Sequence, residues 1–147
     1  MSDHKKRIDT LLVLIAGSPI SGDVSYTNIK GEFAEVSKVK RISYKNRYRL
    51  LQVLHSTRAL DTSLKVFTAI KGYGDGHSLG NYLHNLSNPP TRSLNPLPAH
   101  RAQHYQKNIV MIRNRFMHQA GTYPNGDEEI RKLLSEMHDC LATVLVL

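Results

Sequence analysis

Arg113, Asn114 and His118 lie within six residues of each other, in the run Arg113-Asn114-Arg115-Phe116-Met117-His118. A guanidinium carries a fixed positive charge and can grip phosphate oxygens bidentately. An imidazole titrates near neutrality and can take up or release a proton. An amide beside the guanidinium can hydrogen-bond a phosphate or orient its neighbours. Together these groups can cleave RNA without a metal, because the substrate's own 2′-OH supplies the nucleophile.

Spacing alone does not single the run out. Ten arginines and eight histidines make comparable pairs by chance, and Arg49–His55 and Arg131–His138 are two of them. Context separates the three. Arg49 is followed by Leu50 and Arg131 by Lys132, whereas Arg113 is followed by an amide. His118 also stands three residues before Gly121, a helix stop, so it belongs to a last turn beside solvent.

The elements that must position these residues are helices. Strand signals are nearly absent, and neither a repeat nor a low-complexity segment is visible. Residues 6–16 read as a short helix ending at Gly17-Ser18-Pro19, and residues 17–27 as loop. A helix is expected from about Asn28 to Ile42, with Phe33, Val36 and Val39 on one face. The clearest element runs from about Tyr44 to Lys71. Its apolar stripe is Leu50, Val53, Thr57, Leu60, Leu64 and Phe67, and Gly72 and Gly74 stop it. Residues 78–87 form a short helix, and the four prolines between Asn88 and Pro98 make an extended connection. The motif helix follows from about Ala99 to Gln119. A last helix, capped by Asn125 with Glu128 three residues on, buries Ile130, Leu133, Leu134, Met137, Leu141, Val144 and Leu145. The expectation is an all-α bundle of five to six helices forming one domain over residues 1–147, with 1–27 as N-terminal helix and loop.

Composition narrows the partners. Lys and Arg outnumber Asp and Glu by 20 to 12, which gives a formal charge of +8 and a pI near 9.7. Such a surface attracts polyanions, nucleic acid first among them, or docks on an acidic partner protein. On the motif helix, Arg115, Lys107 and His104 are the candidate contacts to an RNA backbone. Solvent-exposed polar roles are the alternative for His100 and His104. Cys140 is the only cysteine, which excludes an internal disulfide and a Cys-based zinc site. His77 and His84 lack carboxylate or thiol partners for a metal, so neither metal nor cofactor is expected. The apolar run Leu11–Ala16 is too short to cross a membrane. A cytoplasmic protein is the expectation.

Geometry on the motif helix adds a constraint. At about 100° per residue, Ala102, Tyr105, Ile109, Ile112 and Phe116 share the core face. Val110 and Met117 form a second strip, expected either to pack in the same bundle or to meet a second protomer. Arg113 and His118 point about 140° apart. One helix does not aim both at one atom, but two copies facing across a two-fold axis do.

With Arg113, Asn114 and His118 on a late helix followed by one more amphipathic helix, the chain resembles the HEPN family of small all-α domains. That family's signature is Arg, a polar residue, three to five further residues, then His. The resemblance implies a metal-independent endoribonuclease, usually a homodimer with paired motifs in its cleft. Many members are toxins of toxin–antitoxin modules or effectors of anti-phage defence, so an antitoxin or defence-system protein is an implied partner. One subgroup carries a modified Tyr two residues after the His. Here that position is Ala120, and Tyr123 is the nearest tyrosine. Catalytically silent HEPN-like modules that bind RNA or a nucleotide, and small interaction proteins, are the rival classes.

Overall fold

The 27-residue helix α3 (Lys45–Lys71) is the spine of the molecule, about 40 Å long at 1.5 Å per residue. In the computed structural model, which describes residues 3–39 and 44–147, six other helices accompany it, four of them packed directly against it. The six are α1 (Asp3–Ala16), α2 (Tyr26–Lys38), α4 (Leu79–Ser87), α5 (Ala99–Tyr105), α6 (Met111–His118) and α7 (Asp127–Val144). A 3₁₀ turn, Pro19–Gly22, follows α1. The fold is all-α: about 75% of the residues are helical, and no strand occurs among those described. Counted with α5 and α6 as one rod, the helices number six. The end of the expected 28–42 helix falls on residues 40–42, outside the described residues.

Periodicity explains each packing. Ile8, Leu11 and Ile15 line one face of α1, and Ile29, Phe33 and Val36 one face of α2; all are buried. Central α3 buries Val53, Leu60, Leu64 and Phe67, together with Ser56, Thr57 and Ser63. Those hydroxyls donate to carbonyls three or four residues back in the same helix, so their burial leaves no donor unpaired. Gly72 ends α3 at φ +82°, the left-handed conformation that glycine adopts without strain. The proline-rich connection is tied down by Leu97, whose N–H donates to the Leu86 carbonyl at 2.8 Å. A single cluster of buried side chains draws on every helix, and Cys140 lies wholly inside it. Burial pushes its thiol pKa well above the ordinary value.

Two expectations shift. The cap of α7 is Gly126, not Asn125, and Glu129 rather than Glu128 reaches back, accepting from the Asn125 N–H at 2.8 Å. Gly126 has no side chain to accept from the first turn, so the expected capping box does not form and only the Glu129 contact to the preceding N–H is made. In addition, the expected uniform helix over 99–119 contains a π-helical turn, Gln106–Val110, between α5 and α6. This wider turn absorbs about one extra residue, which turns everything after it by roughly 100° relative to an ideal α-helix. Ile109 and Val110 are consequently both buried.

Candidate functional site

The rod formed by α5, the π turn and α6 carries the motif and is clamped to α7. Tyr105, fully buried, donates its hydroxyl to Asp139 Oδ2 at 2.6 Å and lies 3.1 Å from Thr143 Oγ1. Burial, reinforced by the Asp139 hydrogen bond, pushes its phenol pKa well up. Arg101 pairs with the same Asp139 at 3.0 Å, and His104 with Glu136 at 2.6 Å. Within the π turn, the Asn108 amide donates to the His104 carbonyl at 2.8 Å. On the other side, Gly80 lets α4 come close: a Cβ there would sit 2.9 Å from Gln106 Nε2.

Past the π turn, α6 presents the motif. Arg113 Nη1 donates to Asn114 Oδ1 at 3.0 Å, so the amide oxygen is engaged and its NH₂ points outward as a donor. His118 is the last residue of α6, and the backbone turns extended at Gln119 (φ −110°, ψ 104°). Asn114 and His118 are exposed and share an open trough of about 670 Å³ with Lys107, Met111, Ile112 and Arg115. Arg113 is half-buried and faces elsewhere, into a tighter hollow of about 230 Å³ between α3, the start of α4 and α6. The structure therefore brings Asn114 and His118 together and sends Arg113 to a second face, as the angular separation predicts.

The remaining expected site residues divide. Lys107 and Arg115 line the His118 trough. Arg115 also lies over the Phe116 ring at 4.6 Å and 3.7 Å from Glu129, which holds it against the fold. His104 is half-exposed and engaged by Glu136, on the side facing α7; the π turn rotates it away from His118. Val110, at 9% exposure, belongs to the protomer's own core, and Met117 packs half-buried against that core. The apolar residue this helix leaves open is Met111, at 61% exposure. His100 is exposed, and Tyr123 is partly exposed beyond the helix stop.

Two residues of Arg113's hollow carry no signal in the sequence. Asp61, half-buried on α3, meets Arg113 only through tertiary packing. Burial raises its carboxyl pKa above the usual value, while Arg113 and Lys65 pull it partly back. His77 arrives from the loop before α4 and lines the same hollow. No group of three or more His, Cys, Asp or Glu able to hold a metal ion occurs among the described residues. None of their helices is long and apolar enough to cross a membrane.

Comparison of the chain with protein-family models, curated proteins and solved structures gives no match.

Proposed function

We propose that the protein is a metal-independent endoribonuclease acting as a homodimer, with Arg113, Asn114 and His118 as its catalytic residues. One observation carries this reading. The motif sits on the last turn of a helix, where Arg113 fixes Asn114 by a 3.0 Å hydrogen bond and His118 stands in an open, basic trough with Lys107 and Arg115.

The chemistry follows from those groups. A histidine acting as base takes the proton of the RNA 2′-OH, and the O2′–P bond forms as the P–O5′ bond breaks. A water molecule delivers a proton to the departing O5′. The products are a 2′,3′-cyclic phosphate and a 5′-OH end. One His118 fills the base role in each site. Arg113 binds the non-bridging oxygens as negative charge builds on them, and the Asn114 NH₂ holds the phosphate in place. Because Arg113 and His118 face different hollows, a two-fold pairing sets one chain's Arg113 against the other chain's His118. DNA lacks the 2′-OH and is not a substrate.

From the HEPN resemblance come a role as toxin or anti-phage effector and an antitoxin or activating protein as partner; a cytoplasmic site of action comes from the composition, with its single cysteine. The test is incubation of the purified protein with RNA in excess EDTA. Cleavage to cyclic-phosphate ends, lost in His118→Ala, is expected; cleavage that needs added metal, or survives His118→Ala, contradicts the mechanism. RNA binding without cleavage would point to a silent binding module instead.

A further inference from the structure

The hollow on the Arg113 side is lined by Thr57, Arg58, Asp61, His77, Ser78 and Arg113, with Leu79 at its inner wall. Most of its polar groups are already engaged. The Thr57 hydroxyl donates to the Val53 carbonyl at 2.7 Å, Ser78 Oγ accepts from the Asn81 N–H, and Arg58 is paired with Glu32 at 3.1 Å. Asp61 is different. It is half-buried, and among the described residues its carboxylate accepts no hydrogen bond and forms no ion pair within 4.0 Å. An unengaged acceptor therefore faces a concave space whose other open groups are the remaining guanidinium donors of Arg113 and Arg58, the Ser78 hydroxyl hydrogen and the exposed ring of His77.

A ligand fitting this set offers N–H donors to Asp61 and an anion to Arg113 a few ångströms away. About 230 Å³ admits one nucleobase, and the phosphate attached to its sugar can reach the guanidinium. The bases differ in what they offer a carboxylate. Guanine presents two parallel donors, N1–H and N2–H, matching the two carboxylate oxygens. Adenine and cytosine present the amine alone on that edge. Uracil presents a single N–H between two carbonyl oxygens that a carboxylate repels.

We infer that this hollow is a guanine subsite: Asp61 accepts N1–H and N2–H of the base, and Arg113 holds the 3′-phosphate of the same nucleotide, directing cleavage to the bond after guanosine. The inference rests on the ribonuclease reading for its role but not for its binding chemistry. Asp61 and His77 both line this hollow and the adjoining one of about 460 Å³, which holds Lys65 and Asp23, so these two residues mark where the RNA strand passes between them.

The experiment has two arms. In the first, guanosine 3′-monophosphate and uridine 3′-monophosphate are titrated into the wild-type protein, followed by the backbone amide resonances of residues 57–61 and 77–79. The guanosine nucleotide should bind about tenfold tighter or better, with shifts concentrated at those residues. In the second, cleavage ends are mapped on a mixed-sequence RNA. Wild type should cut mainly after guanosine, and Asp61→Asn should lose that bias. Equal affinity for the two nucleotides, or an unchanged bias in Asp61→Asn, overturns the subsite. Cleavage by the wild type with no guanosine bias overturns the subsite and leaves the ribonuclease reading standing. Guanosine-selective binding at these residues in a protein that cuts no RNA supports the subsite and overturns the ribonuclease reading.

Discussion

The two faces of α6 differ in almost every physical respect. The face of Asn114 and His118 is open, exposed and bordered by methionine and basic side chains. The face of Arg113 is a tight hollow with a half-buried carboxylate on α3. An exposed histidine is open to a substrate arriving from solvent. A half-buried guanidinium that donates to the neighbouring Asn114 amide is held in place, which suits orientation better than capture. On the proposed reading, the contrast assigns proton transfer and phosphate positioning to separate surfaces of one helix, which a second copy would join.

The strongest way to break the comparison is to delete one group from each face. His118→Ala and Arg113→Ala should each lower RNA cleavage by about 10²–10⁴-fold, with melting temperature nearly unchanged for His118→Ala. If only one of them matters, the faces do not cooperate. Next in size is a stability contrast on α6 itself. Phe116, 5% exposed, should cost about 3–5 kcal/mol as Phe116→Ala in denaturant unfolding, whereas Met111→Ala, on the open side, should stay within about 0.5 kcal/mol.

Smaller effects sharpen the picture. Lys107→Ala should lower the salt dependence of RNA affinity by about one phosphate contact, without changing which bonds are cut. Asp61 gives a pH signature. Its folded pKa lies above the unfolded one, so its ionised form is disfavoured by folding. That penalty is fully present above the folded pKa and fades as pH falls through it towards the unfolded value. Asp61→Asn should therefore melt higher than wild type at neutral pH, and the gain should shrink on acidification below the ordinary carboxylate range. A gain that does not depend on pH would mean that Asp61 is not desolvated in solution.

Much of the fold is legible in the sequence alone. The stripe Val53, Thr57, Leu60, Leu64 and Phe67 is buried along α3, because a long uninterrupted 3.6-residue period leaves little choice of face. The placement of His118 at a helix end follows from Gly121, which adopts φ +79°. The π turn at Gln106–Val110 was not legible. No proline or glycine marks it, and it arises where Tyr105 must meet Asp139 on α7 while Gln106 nests against Gly80. That turn is why Val110 lies in the core and why His104 faces Glu136. Asp61 and His77 escaped for a related reason: they reach Arg113 through the packing of α3 and α4, which no local pattern encodes.

Mixing two inactive variants tests the central claim most directly. Arg113→Ala and His118→Ala proteins are purified separately, combined under conditions that allow subunit exchange, and assayed on RNA in EDTA. If each site takes Arg113 from one chain and His118 from the other, mixed dimers contain one intact site, and about a quarter of wild-type activity should return. Recovery of none, with mixed dimers shown to form, would contradict a site shared between two protomers.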